Sequence, residues 1–280
     1  MTASVATTTT TPTLVDLLAQ RRPLVMGVLN VTPDSFSDGG QFFNSEQAIA
    51  RAGQMVADGA DCIDIGAEST RPYGDAIAVS SDEELRRLAP VLPAIRRLGV
   101  PVSIDSMKAD IARWALDNGA TIANDVWGLQ RDPGMATLVA ERGVPVIVMH
   151  NRERADPTID IMTDIKAFFA RSLEIAERAG IHRELIVLDP GIGFGKTPEQ
   201  SMTAIARLPE LKEFRCPLLV GASRKRFIDR VSPAPPDQRI GGSIAAHTMA
   251  VLNGAAIIRA HDVAETVQAL RVLTAIKSRA

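Results

Sequence analysis

The sequence predicts a single-domain (β/α)8 TIM barrel, and three observations support this prediction. Eight short apolar runs recur along the 280 residues, each is followed by a segment with helical periodicity, and nearly every run ends in a polar residue. Continuous apolar runs are typical of parallel strands covered on both faces, and their alternation with helices is typical of a barrel. The polar residues would then meet at the C-terminal mouth, where barrel enzymes have their active sites.

The first strand shows this pattern most clearly. The apolar run 25–29 stops at Asn30 and is followed by the polar sequence V-T-P-D-S-F-S-D-G-G, which has the composition of a loop. The other predicted strands cover residues 62–65, 102–105, 121–125, 144–150, 185–189, 217–221 and 255–260.

Helical segments alternate with these strands. Residues 45–58 follow Asn44, which has capping-box spacing to Gln47, and residues 82–98 carry an apolar stripe with a 3.6-residue period. Residues 109–117 form a further predicted helix. A doubly wound open sheet is the alternative, but it needs G-x-G-x-x-G after the first strand. The nearest match, G-I-G-F-G-K at 191–196, has different spacing and follows the sixth strand.

Composition limits the kind of protein. The chain is 46% hydrophobic and 23% charged, which suits one globular domain over residues 21–280. We expect residues 1–20 to form a flexible Thr-rich tail, because residues 7–11 are all threonine and no signal or transit peptide is recognisable. The net charge of -2 gives no general attraction to nucleic acid or anionic membrane. Cys62 and Cys216, each within an apolar run, favour a reducing compartment and a cytoplasmic protein.

The strand tips carry side chains suited to ligand binding or catalysis. They are Asn30, Glu68, Thr70, Arg71, Asp105, Asn124, Asp125, Met149, His150, Asp189, Ser223, Lys225, Arg259 and His261. Each has a simpler structural explanation: Asp189 could form a turn before Pro190, and Asp262 could form a capping box with Glu265. Together, polar groups at the end of nearly every strand favour an active site.

The tip residues fall into two chemical sets. Asp105, Asn124 and Asp189 suit the edge of an aminopyrimidine-like ring, since a carboxylate can accept two parallel N–H bonds. A second set suits phosphate oxygens and comprises Asn30, Arg71, Arg259 and His261, with Lys225 possible in either set. A flat heterocycle with a phosphorylated arm would contact both sets.

Other barrel functions fit less well. A metallohydrolase would need clustered histidines, whereas the four histidines here are scattered. A Schiff-base aldolase needs a lysine in an apolar pocket, but Lys225 lies outside any predicted strand. A barrel that binds a ligand without catalysis remains an alternative.

Long ordered motifs then identify a family resemblance. They read L-N-V-T-P-D-S-F-S-D-G-G, E-S-T-R-P, S-I-D-S, N-D, M-H, L-D-P-G-I-G-F-G-K, G-A-S-R-K-R-F and R-A-H-D-V. On these motifs, residues 24–276 resemble the dihydropteroate synthases. The resemblance implies condensation of 6-hydroxymethyl-7,8-dihydropterin pyrophosphate with 4-aminobenzoate, giving 7,8-dihydropteroate and pyrophosphate in folate biosynthesis. It also implies Mg²⁺, sulfonamide inhibition and a homodimer.

The same resemblance assigns roles to individual residues. The pterin would be bound by Asp105, Asn124, Asp189 and Lys225, with Met149 lining the pocket. Asn30 would be the Mg²⁺ ligand, and the pyrophosphate would be held by Arg71, Arg259 and His261. The 4-aminobenzoate side would comprise Thr70, Pro72, Phe194, Ser223 and Lys225, with Phe36 closing over it. The expected catalytic residues are Asn30, Asp105, Lys225, Arg259 and His261.

Two loops bear on the 4-aminobenzoate pocket. Segments 31–42 and 68–79 are rich in Gly and Pro, so we expect this pocket to assemble only after pterin, pyrophosphate and Mg²⁺ bind. The second loop is slightly longer than in many family members, which bears on sulfonamide sensitivity.

The alternative to a synthase is a pterin-binding barrel without synthase activity, such as a folate methyl-transfer module. S-R-K-R and R-A-H-D favour the synthase because such a module has no need of a pyrophosphate cluster.

Overall fold

Eight parallel strands form the barrel wall in the computed structural model, which describes residues 11–31, 41–68 and 79–279. The strands are Leu24–Asn30 (β1), Cys62–Gly66 (β2), Val102–Asp105 (β3), Ile122–Asp125 (β4), Val146–Met149 (β5), Ile186–Asp189 (β6), Leu219–Val220 (β7) and Ile257–Ala260 (β8). They are ordered β6-β5-β4-β3-β2-β1-β8-β7, and a bridge between Leu188 and Leu218 joins the two ends of the sheet. The predicted barrel is confirmed.

Helices flank these strands in the expected alternation. They are Leu14–Ala19 (α1), Gln41–Ala57 (α2), Ser81–Leu88 (α3), Leu92–Ile95 (α4), Ala109–Asp117 (α5), Pro133–Arg142 (α6), Ile161–Ala179 (α7), Pro198–Ala206 (α8), Arg226–Val231 (α9), Ile240–Leu252 (α10) and Val263–Lys277 (α11). None of the helices in the described part of the chain is long and apolar enough to cross a lipid bilayer.

The helix predicted over residues 82–98 is divided in the structure. It forms α3, α4 and a short 3-10 helix, Arg96–Leu98. Pro90 interrupts it because proline lacks the amide hydrogen that a helix interior needs and its ring clashes with the preceding turn. The predicted stripe still packs on the core, since Leu88, Leu92 and Ile95 are fully buried.

The C-terminal part of the predicted tail also differs from the prediction. Residues 14–19 form α1 instead of flexible chain, and a capping box begins the helix: Asp16 N donates to Thr13 Oγ1, and Thr13 N donates to the Asp16 carboxylate. Leu14 and Leu17 are buried against the lower end of the barrel. A six-residue helix is too short to show periodicity, so the sequence pattern missed it.

The barrel interior changes from apolar to polar along the strands. Its lower end is filled by Met26, Cys62, Ile122, Ile147, Val187, Leu219 and Ile257. Side chains in a strand alternate between its two faces, so the next inward positions lie two residues further on. On five strands these are Asp64, Asn124, Met149, Asp189 and Arg259. Cys216 is buried as expected but precedes β7 instead of lying in a strand.

Candidate active site

Arg259 on β8 joins four strands at the mouth of the barrel. Its Nε donates to Asp64 Oδ2 on β2 at 2.6 Å, and its Nη2 donates to Asp105 Oδ2 on β3 at 2.8 Å. Asn124 Nδ2 on β4 donates to the same Asp64 oxygen at 3.1 Å. The side chains of Asp64, Asp105 and Asn124 are buried, so this is a charged network held in a low-dielectric interior.

Two carboxylate oxygens in this network have no donor. Asp64 Oδ1 and Asp105 Oδ1 are buried and lack a hydrogen-bond partner within the described residues. Burial, followed by the neighbouring Asp64 charge, raises the pKa of Asp105 to about 7, against the opposing effect of Arg259 and Lys225. A buried acceptor without a partner costs about 1–3 kcal/mol. Two of them at the mouth therefore mark a position where a ligand can donate hydrogen bonds.

Asp189 lies at the end of β6 and is also buried. Its Oδ1 accepts a hydrogen bond from Gly191 N at 2.7 Å, so it does form the turn that was the simpler explanation of its position. Burial raises its pKa to about 6, opposed first by that hydrogen bond and then by the charges of Arg259 and Lys225. Asp189 therefore lies near the cationic side chains of the mouth while it also forms the turn.

Apolar side chains form one wall beside these polar groups. Val126, Met149 and Phe194 make a small buried cluster, and Met107 and Trp127 pack against it half-buried. Met149 is paired in register with Asp189, so the apolar wall and the carboxylate are neighbours. This arrangement suits a flat ring whose faces are apolar and whose edge carries hydrogen-bond donors.

Lys225 contacts this wall through Phe194. Its Nζ lies 4.2 Å from the centroid of the Phe194 ring, a cation-π contact across the loops that follow β6 and β7. Lys225 is therefore at the mouth, as predicted, and its ammonium also acts on the carboxylates of Asp105 and Asp189.

A second cluster ties the loops after β7 and β8 together. His261 N donates to Ser223 Oγ at 3.2 Å, and His261 Nδ1 lies 3.1 Å from the same oxygen. Arg224 adopts a positive φ of 59°, and its guanidinium forms a bidentate ion pair with Asp262. The capping box considered for Asp262 is wrong, because its side chain makes no cap hydrogen bond. The pair fixes Ser223 and His261 side by side.

Three of the strand-tip residues have structural partners instead. Both carboxylate oxygens of Asp125 accept backbone N–H groups, from Trp127 and Leu129. His150 is fully buried and contacts Asp164 and Lys196. Glu68 accepts hydrogen bonds from Val79 N and Lys108 Nζ. None of the three was assigned a substrate role.

Several predicted site residues lie outside the described part of the chain. These are Phe36, Thr70, Arg71 and Pro72. Asn30 is described, half-buried at the end of β1. Within the described residues, no three His, Cys, Asp or Glu side chains are grouped to hold a metal ion. A single amide oxygen fits Mg²⁺ only if phosphate and water oxygens complete its shell, which is a common arrangement for this ion.

Sequence reasoning missed Asp64, Met107 and Trp127. Asp64 had a usable signal, because it is an acidic residue inside the apolar run C-I-D-I, and a buried charge must have a partner. Met107 and Trp127 follow strand ends without any motif of their own, so their position beside Phe194 depends on tertiary packing.

Comparison with known proteins extends these observations. Residues 26–261 match the pterin binding enzyme family. The dihydropteroate synthase of Bacillus subtilis is 42% identical over 261 residues, covering 93% of this chain and 90% of the relative.

Solved structures agree with this match. A dihydropteroate synthase from Clostridium difficile, determined in the presence of pteroic acid, has a TM-score of 0.88 at 48% identity and covers 91% of this chain and 97% of its own. A Yersinia pestis dihydropteroate synthase in complex with a sulfonamide drug has a TM-score of 0.86 at 43% identity, with coverages of 93% and 96%.

The similarity therefore extends over almost the whole barrel and almost the whole length of each relative. It confirms the resemblance inferred from the motifs and gives no support to a pterin-binding barrel without synthase activity. The chain belongs to the dihydropteroate synthase family of pterin-binding enzymes.

Proposed function

We propose that the mouth of this barrel condenses 6-hydroxymethyl-7,8-dihydropterin pyrophosphate with 4-aminobenzoate to give 7,8-dihydropteroate and pyrophosphate. The observation that carries the assignment of the site is the pair of buried carboxylate oxygens without donors, Asp64 Oδ1 and Asp105 Oδ1, beside Arg259. A pterin presents N–H donors along one edge, and such donors would satisfy buried acceptors at this position.

The pterin lies, in this proposal, between the apolar wall and the buried polar set. Met149 and Phe194 cover the ring, while Asp105, Asn124 and Asp189 bind its edge. Departure of pyrophosphate leaves positive charge on the electron-rich ring. In their ionised forms, the carboxylates of Asp105 and Asp189 stabilise that charge because they act in a buried, low-dielectric site.

The leaving group is bound on the cationic side. Arg259, His261 and Arg71 hold pyrophosphate oxygens as the C–O bond breaks. The guanidinium of Arg259 offers five N–H donors, so its bonds to Asp64 and Asp105 leave donors for the ligand. Asn30 would hold Mg²⁺, which when bound would offset part of the charge on the pyrophosphate.

The aryl amine then attacks the pterin carbon. The C–N bond forms after the C–O bond has largely broken, and the amine releases one proton to solvent. Because the leaving group can depart ahead of attack, the reaction needs charge stabilisation more than a general base. Phe194, Ser223 and Lys225 would bind 4-aminobenzoate, and the same role is proposed for Phe36, Thr70 and Pro72, which lie outside the described residues. Sulfonamides would occupy the same place.

One assay tests the assignment. Pyrophosphate release and dihydropteroate formation should both require the dihydropterin pyrophosphate and 4-aminobenzoate together, and a sulfonamide should inhibit them. Tight pterin binding without product formation would support the rival binding barrel. A reaction that proceeds equally without 4-aminobenzoate would contradict the condensation.

We further propose that two copies of the chain associate through α8, α9 and α10. An apolar groove of about 480 Å³ lies between these helices and includes Ile205, Phe227, Val231 and Met249. Val231 is 68% exposed and Met249 is 48% exposed. Large apolar side chains that are exposed together in one patch are typical of a surface that another molecule covers. Light scattering should give a dimer mass for the wild type and a monomer mass for Met249→Glu.

A cytoplasmic location, expected from the two free cysteines, remains a prediction.

A further inference from the structure

Lys196 carries a buried ammonium directly behind the mouth of the barrel. It lies between β6 and α8 and is 2% exposed. Its Nζ is 2.6 Å from His150 Nδ1, 2.9 Å from Gly191 O and 3.1 Å from Phe194 O. In its protonated form Lys196 has three N–H donors, one for each of these three acceptors. Burial lowers the pKa of Lys196 to about 7, while Asp189 and Asp164 oppose that effect.

His150 connects this ammonium to helix α7. Because its Nδ1 accepts from Lys196, its Nε2 carries the proton and donates to Asp164 Oδ2 at 2.9 Å. Arg152 Nη1 donates to the other oxygen of Asp164 at 2.8 Å. Burial lowers the pKa of His150 to about 4, so the ring is neutral at physiological pH. A continuous chain of hydrogen bonds therefore runs from α7 to the loop after β6.

That loop has little freedom to move independently. Gly191 has a φ of +64°, and a Cβ there would lie 2.0 Å from His150 O. Gly195 has a φ of +53°, and a Cβ there would lie 2.4 Å from Arg152 O. The loop backbone thus lies directly against residues 150–152, and Lys196 Nζ donates hydrogen bonds to two carbonyl groups of the loop.

We propose that Lys196 is a positioning residue for the pterin pocket. By binding Gly191 O and Phe194 O, it fixes the Gly191 N–H that Asp189 accepts and the ring of Phe194 that covers the pterin. Its positive charge also favours the ionised form of Asp189, together with Arg259 on β8 and Lys225 after β7. The proposal rests on the pterin-binding roles proposed for Asp189 and Phe194.

The test replaces Lys196 and compares it with a lysine outside the pocket. Lys166, on α7, forms ion pairs with Glu210 and Glu213 at the surface, so Lys166→Met is a matched control. Affinity for 6-hydroxymethyl-7,8-dihydropterin pyrophosphate is measured by calorimetry without 4-aminobenzoate, from pH 5 to 8. Lys196→Met should bind at least tenfold more weakly at pH 7, with KM affected more than kcat, whereas the control should match wild type.

The pH profile separates positioning from a general loss of stability. With the ammonium gone, the midpoint of pterin binding should rise by about 0.5–1 pH unit, because Asp189 loses a cation that favours its charged form. A merely structural lysine would not move that midpoint. A folded Lys196→Met protein with wild-type affinity and an unchanged midpoint would overturn the proposal.

A second pair of variants keeps the test valid if Lys196→Met does not fold. His150→Gln leaves an acceptor for Lys196 and should bind the pterin substrate like wild type, whereas His150→Leu removes it and should weaken binding about threefold. Equal affinities in these two variants would contradict a role for the His150–Lys196 hydrogen bond in positioning the loop.

Asp189→Asn distinguishes a failure of the proposed pterin site from a failure of the positioning role. If this variant binds the pterin substrate normally, the proposed pterin site is wrong. If it binds weakly while Lys196→Met binds normally, only the positioning role fails.

Discussion

The barrel contains two buried ionic clusters that use similar groups in different ways. The mouth cluster joins Arg259 to Asp64 and Asp105. The wall cluster, behind the loop after β6, joins Lys196 through His150 to Asp164. Within the described residues, the mouth cluster leaves two buried carboxylate oxygens without donors, while every buried side-chain atom of the wall cluster has a partner.

This difference separates a binding site from a scaffold. A fully partnered network has nothing left to offer a ligand and serves to hold backbone in place. A network with unsatisfied acceptors gives up stability that a ligand can restore on binding. Burial and charge alone do not distinguish the two clusters, since each combines fully buried groups with half-buried ones and a cation with at least one carboxylate. The two clusters are distinguished by whether all of their buried polar atoms have hydrogen-bond partners.

Replacing Arg259 with Met should give the largest effect. It leaves Asp64 and Asp105 as adjacent buried carboxylates without their shared cation, and breaking a buried pair costs about 3–5 kcal/mol. We expect loss of thermal stability together with a fall in kcat/KM of about a thousandfold. Thermal unfolding and steady-state kinetics measure the two effects, and Arg259→Lys should recover part of the stability but little activity.

Activity near the wild-type level in Arg259→Met would show that the mouth cluster is structural, like the wall cluster. Asp64→Asn offers a finer version of this comparison. It keeps the shape of the side chain, so a loss of activity without a loss of fold would assign Asp64 to the positioning of Arg259.

Asp189→Asn should give the next largest effect. Its amide would place an NH2 group against the donors of the pterin, and losing a charge-assisted pair should cost about 2–4 kcal/mol of pterin binding free energy. In the wild type, affinity should fall below pH 6, because the pKa of Asp189 is raised to about 6 and protonation removes the acceptor. The variant should lose the part of this pH dependence that Asp189 contributes and keep the part that Asp105 contributes. Calorimetry that finds its affinity within threefold of wild type would leave Asp189 as a turn former.

The sequence predicted the mouth cluster better than the wall cluster for a physical reason. Asp105, Asn124, Asp189 and Arg259 each occupy one of the last two positions of a strand, and strand ends in a barrel converge whatever the loops do. Lys196 contacts His150 across 46 positions of sequence, and no local pattern encodes that contact. The sequence pattern accordingly places His150 among the mouth residues, and the motif that contains Lys196 gives this lysine no role of its own.

Lys225→Ala should have a smaller effect that is confined to the mouth. Its Nζ lies over Phe194, outside the core, so folding should be nearly unchanged while kcat/KM falls about thirtyfold. Lys212→Ala, on the 3-10 helix Leu208–Phe214, is a control for loss of a positive charge away from the mouth. Unchanged kinetics in Lys225→Ala would mean that Lys225 has no role in the site and is only part of a solvent-exposed basic run with Arg224 and Arg226.

Sulfonamide affinity gives the smallest expected change and tests whether a ligand completes the mouth cluster. If pterin and pyrophosphate satisfy the open acceptors and the cations, the 4-aminobenzoate pocket should form on top of them, so binding should be ordered with the pterin first. A sulfonamide should then bind at least tenfold more tightly, about 1.4 kcal/mol, when pterin, pyrophosphate and Mg²⁺ are present together. The gain should disappear in Arg71→Ala, a residue outside the described part of the chain, because that arginine is expected to hold the pyrophosphate. Lys166→Met should keep the full gain. Calorimetry at fixed ionic strength that finds equal affinity for the free and the loaded protein would mean that the pocket is rigid and needs no ligand to complete it.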